Sequence, residues 1–103
     1  MPKGNCYEVN GRWMIGKDGY KLVHGVVINQ KDGKPMGHCW IERDGVVYDY
    51  SNNDETILPK DFYYGLAQIP VKGHKLYKYN WEKMGKMILK HEHWGPWESK
   101  PPR

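Results

Sequence analysis

The sequence predicts an α+β domain: an N-terminal helix carrying a cysteine, packed on a small antiparallel β-sheet, with a second helix near the C-terminus. Three observations lead there. Asn5-Cys6 has the form of a helix start, with Glu8 three residues after Asn5 in a capping-box-like pattern. Residues 20–29, 37–43 and 46–50 are rich in β-branched and aromatic residues, and Asp44-Gly45 between the last two is a tight-turn pair. Residues 81–91 carry apolar positions at helical spacing.

The first helix is expected over residues 6–15, with Cys6, Val9 or Asn10, and Trp13 on one face. Gly16 and Lys17-Asp18-Gly19 end it. In residues 20–29, Leu22, Val26 and Ile28 share one face, while Val23 and Val27 share the other. Apolar residues on both faces call for a strand covered on both sides. Gln30 to Met36 reads as a loop, and residues 37–43 and 46–50 as a hairpin, giving a three-stranded meander. Residues 51–58 read as a polar loop and Pro59–Leu66 as a short helix. Residues 67–71 and 74–79 read as edge strands about Lys72-Gly73, and Trp94 to Trp97 as irregular chain. A single domain over residues 1–97 is expected, with a disordered tail over 98–103.

The 103 residues suit one small domain. Aromatic residues are abundant, five Trp and eight Tyr, so rings must line surfaces as well as fill the core. The formal charge is +4, and the excess of Lys and Arg lies after residue 68. No apolar run reaches the length of a membrane span, so no membrane partner is expected. With no signal-peptide pattern and two cysteines, a cytoplasmic, reducing setting is expected.

Cys6 at a helix start faces unsatisfied N–H groups and the positive end of the helix dipole, both of which favour a thiolate. Position alone leaves open a small buried residue that starts a helix. The hairpin adds a second observation. A two-residue turn at Asp44-Gly45 places Trp40 opposite Asp49 and His38 opposite Ser51. His38 and Asp49 then become diagonal neighbours on one face, with Cβ atoms about 7 Å apart, close enough for the carboxylate to hold the imidazole.

Cys at a helix start, Gly37-His-Cys-Trp-Ile-Glu42 on a strand and Asp49 on the next strand together resemble the papain-like superfamily. The likeness points to its transglutaminase-like and arylamine-acetyltransferase-like branches, where a His-x-Trp-x-Glu strand precedes the acidic residue. The resemblance covers about residues 5–50, roughly half the chain. It implies Cys6 as nucleophile, His38 as general base and acid, and Asp49 as the residue that orients His38. It further implies the Cys6 N–H as an oxyanion donor. The chain is small for this superfamily, and an oxyanion side chain upstream of the nucleophile has room only at Asn5. Tyr7, His24 and Gln30 are further candidates for the oxyanion or its support. Trp13, Trp40 and Tyr50 are the candidate substrate groove.

The implied activity is a cysteine-dependent hydrolase or acyltransferase acting on an amide, ester or thioester. Its partner would be a protein, peptide or small acyl substrate, with no cofactor. The alternative is a non-enzymatic binding module, either an inhibitor or adaptor or a single-strand nucleic-acid binder. The last would use residues 70–90, where Lys72, Lys75, Lys78, Lys83, Lys86 and Lys90 interleave with Tyr77, Tyr79 and Trp81. A solvated lysine face explains the same pattern. His24 reads first as a hydrogen-bonded core residue and Cys39 as a buried structural thiol. His91-Glu92-His93, with Cys39 or Asp61, lacks the spacing of a metal site, and no metal is expected.

Overall fold

A five-stranded antiparallel sheet forms the centre of the molecule, with strand order β4-β3-β2-β1-β5. The computed structural model describes residues 6–51 and 54–101. In chain order the elements are α1 (Cys6–Met14), β1 (Lys21–Ile28), β2 (Pro35–Arg43), β3 (Val46–Asp49), β4 (Thr56–Pro59), α2 (Lys60–Ala67), β5 (Tyr77–Tyr79) and α3 (Trp81–His91). The fold class is α+β, and no helix among the described residues is long and apolar enough to cross a membrane.

The β2–β3 hairpin follows from its turn. Asp44 and Gly45 both take positive φ, 50° and 77°, as a type I′ turn requires. Arg43 then pairs with Val46, Glu42 with Val47 and Ile41 with Tyr48.

The sheet is covered on both faces, as the two-sided apolar pattern of β1 demands. One core joins Leu22, Cys39, Ile41 and Tyr79 to Cys6 and Met14 of α1 and Met84 of α3. The other joins Val23, Val27, Trp40 and Val47 to Tyr63 of α2 and Ile69. Asn80 caps α3, its side chain accepting from the Lys83 N–H.

The structure differs from the sequence reading in several places. Residues 56–58, expected as loop, and Pro59, expected to open the following helix, pair with the open edge of β3. A run holding only Ile57 and Leu58 as large apolar residues carries little strand signal of its own, and the neighbouring strand supplies the reason to extend. Residues 67–71 are not a strand, because α2 runs to Ala67 and Gln68 ends it in the left-handed region at φ 57°. Only Tyr77–Tyr79 of the second expected edge strand pairs with β1. Glu8 accepts from Arg12 Nε at 2.8 Å, and Asn5, its expected partner in a capping box, lies outside the described residues. Residues 98–101 pack against the molecule where a disordered tail was expected. Tyr79 Oη donates to Glu98 at 2.7 Å, Ser99 is buried, and Pro101 lies over Gly37.

Candidate active site

Three elements deliver the three candidate residues. Cys6 is the first residue of α1, His38 lies in β2 and Asp49 ends β3. The hairpin register extended by one pair sets Trp40 opposite Asp49, with His38 two residues further along on the same face. His38 Nε2 and Asp49 Oδ2 are 2.8 Å apart.

The Asp49 carboxylate is fully engaged. Oδ2 accepts from His38 and from the Tyr63 hydroxyl at 3.0 Å, while Oδ1 accepts from Asn10 Nδ2 at 3.2 Å and the Ser51 N–H at 3.0 Å. Four donors match the four lone-pair sites of an ionised carboxylate. Burial works to raise its pKa, but the His38 hydrogen bond and charge and the Ser51 contacts outweigh it and hold the carboxyl well below the usual range. For His38, burial pulls the pKa down. The hydrogen bond to Asp49 and then the interaction with the Cys6 thiol overcome that and push it up to about 10. With Nε2 committed to Asp49, Nδ1 is the ring nitrogen left for Cys6.

Cys6 belongs to the α1-side core, yet it also lines a cavity of about 650 Å³ on the opposite side with His38, Ser51 and Tyr63. This position exists because the β2–β3 ladder stops at Ile41. Beyond it, Asn10 of α1 takes the place of a strand. Asn10 Nδ2 donates to the Cys39 carbonyl at 3.0 Å, and its Oδ1 accepts from the Tyr50 N–H at 3.0 Å. One fully buried amide thus ties α1, β2 and the end of β3 together.

Beneath His38 the Trp40 ring is stacked at 6.1 Å between centroids and 28° between planes. Trp40 Nε1 donates to Glu42 Oε2 at 2.8 Å, and the Tyr64 hydroxyl donates to the same oxygen. Lys78 and Lys60 stand 3.4 and 3.6 Å from Glu42 Oε1. Burial works to raise the Glu42 pKa, but these bonds and lysine charges turn the balance and lower it. Gly25, paired with His38 across β1–β2, leaves space for Trp40. A Cβ there would stand 3.1 Å from the indole and 2.5 Å from Leu76.

Comparison of the chain with protein-family models, with curated proteins and with solved structures returned no match. The site is therefore read from its own geometry.

The other candidate residues separate clearly. Trp13 stacks on Tyr50 and Tyr48 on the α1 side, and Trp40 is fully buried, so none of the expected groove residues Trp13, Trp40 and Tyr50 lines the cavity. Strand parity explains this, because Tyr48 and Tyr50 point to the face opposite His38. His24 lies in a cage of Tyr7, Trp97 and Tyr79 rings, with centroids 4.8–5.0 Å away. It is a core residue, but neither ring nitrogen has a hydrogen-bond partner among the described residues, contrary to the hydrogen-bonded reading. Burial lowers its pKa to about 4. The Tyr7 hydroxyl is likewise buried without a partner and lies near Gly37. Gln30 lines the cavity, but its Nε2 donates to the Leu66 carbonyl at 2.6 Å.

Cys39 is a buried free thiol on the far face, and burial pushes its pKa up. Among the described residues no three His, Cys, Asp or Glu side chains gather as metal ligands. His93 Nδ1 accepts from the Gly95 N–H, and its carbonyl accepts from Trp97 Nε1.

Asn10 and Tyr63 are the site residues that the sequence reading passed over. Asn10 carried one signal, a polar residue four positions after Cys6 on the inward face of the helix. Tyr63 carried none, because its partner Asp49 is reached only through the packing of α2.

Proposed function

We propose that this protein is a papain-like, cysteine-dependent hydrolase or acyltransferase that works through an acyl-enzyme on Cys6. The observation that carries the reading is the His38–Asp49 pair at 2.8 Å, with Cys6 and His38 lining the same cavity. Asp49 holds the His38 ring by Nε2, and Nδ1 keeps the proton given up by Cys6 in a thiolate–imidazolium pair, so that Sγ attacks the carbonyl carbon of an amide, ester or thioester as the thiolate. The Cys6 N–H at the open start of α1 donates to the oxyanion. The C–N, C–O or C–S bond then breaks, and His38 returns the proton to the leaving group. Water attacking the thioester gives hydrolysis, and an amine gives transfer, with His38 taking the attacking proton in either case.

The nucleic-acid alternative has less support. Lys75 and Lys83 lie over the Tyr77 and Tyr79 rings on which bases would stack, and Lys78 pairs with Glu42.

The test is the rate of iodoacetamide labelling at Cys6 in the protein and in His38→Ala and Asp49→Ala. Truncating His38 opens the cavity wall beside the thiol, so a fall in rate reports lost activation rather than blocked access. Slowing of about tenfold or more in His38→Ala is expected. Equal rates in all three proteins would falsify the proposal.

A further inference from the structure

We propose that the cavity beside Cys6 receives the apolar acyl portion of the substrate, with the leaving group outside it. This rests on Cys6 being the nucleophile. The cavity measures about 650 Å³, the size of a small-molecule site rather than a packing defect. Val27, Met36 and Leu58 from three strands and Tyr63, Leu66 and Ala67 of α2 form its apolar walls. Among the described residues no carboxylate lines it, and Lys31 is its one ammonium or guanidinium group. That lysine is exposed, in the β1–β2 connection. The Gln30–Leu66 hydrogen bond ties the same connection to the end of α2 and fixes one wall.

Asn29, Ser51 and Thr56 also line the cavity, but its surface is mostly apolar, so a charged acyl side chain would lose water along most of it with Lys31 as the one counter-charge. A hydrocarbon chain or apolar side chain would bury surface against walls already formed. The contiguity of Cys6 and His38 with these walls places the scissile carbonyl at one end of the cavity. A fatty acyl chain and an apolar amino-acid side chain share the required chemistry, and the experiment distinguishes them.

Two series of p-nitrophenyl esters test the proposal: acetate, butyrate and octanoate, and N-acetyl-leucine against N-acetyl-glutamate. Turnover is counted only where Cys6→Ala abolishes it. The expected result is a rise in kcat/KM of about tenfold or more along at least one apolar comparison. The steeper of the two identifies hydrocarbon chain or peptide side chain. Leu66→Lys, on the cavity wall at a half-exposed position, is expected to bring the selectivity ratio toward one. Leu89→Lys, on α3 and 83% exposed, is expected to leave the ratio as it is. Cys6-dependent turnover that is flat or falls with apolar size in both series overturns the cavity assignment and leaves the nucleophile in place.

A second measurement reads the cavity without catalysis. Octanamide added to Cys6→Ala should shift the NMR signals of Val27 and Ala67, and acetamide should not. Octanamide binding with no turnover of any ester overturns the enzyme reading and keeps the cavity. Equal shifts, or none, overturn the cavity assignment.

Discussion

At the scale of single residues, the centre of the site is a carboxylate with no lone pair left over. Asp49 is held from β2, α1, α2 and its own chain, so both the position and the charge of the group behind His38 are fixed by the fold. Asn10 matters most among the supporting side chains. Asn10→Ala strips a donor from the Cys39 carbonyl and from Asp49 Oδ1, and an acceptor from the Tyr50 N–H. Urea unfolding is expected to show a loss of about 2–4 kcal/mol. Tyr63→Phe removes one donor and leaves Asp49 three, so a loss of about 1 kcal/mol is expected in the same assay. A Tyr63→Phe loss as large as that of Asn10→Ala would contradict this ranking.

At the scale of elements, the hairpin turn decides the site. The parity that brings His38 and Asp49 to one face depends on a two-residue turn with positive φ at both positions. Gly45→Val is expected to cost about 1–2 kcal/mol, because a β-branched side chain is strained at φ 77°. If strain shifts the turn to another length, the His38–Asp49 pair is lost with it, which the imidazole NMR signals would report. Asn80→Ala should cost about 1 kcal/mol through loss of the α3 cap. Because α3 packs on the face away from the cavity, iodoacetamide labelling of Cys6 should keep its rate in that variant.

At the scale of the whole molecule, two histidines set opposite limits on stability. His24 is lowered from 6.5 to about 4, so between those values the unfolded chain binds the extra proton and stability rises with pH. His38 is raised from 6.5 to about 10, so over that interval the folded chain binds the extra proton and stability falls as pH rises. Their combined contribution is greatest near pH 6.5, and Asp49 and Glu42, lowered in the fold, add a further loss toward strong acid. His24→Leu is expected to flatten the rise between pH 4 and 6.5, and His38→Gln the fall between pH 6.5 and 10. Urea midpoints measured across pH check both, and an unchanged acid limb in His24→Leu would show that another group causes it.

The sequence by itself determined the local geometry: a helix beginning at Cys6, a two-residue turn at Asp44-Gly45, and through strand parity the meeting of His38 with Asp49. Each follows from interactions among residues close along the chain, where backbone sterics and the two-residue strand period act directly. Tertiary structure decided what those residues face. Asn10 meets Asp49 across 39 positions, Thr56–Pro59 becomes a strand only because β3 offers an open edge, and α2 brings Tyr63 and an apolar wall to the cavity. The expected groove of Trp13, Trp40 and Tyr50 gave way, for the same reason, to a cavity whose apolar walls are mostly aliphatic. Ring content is a property of composition, whereas the face on which each ring is buried depends on which helix covers it.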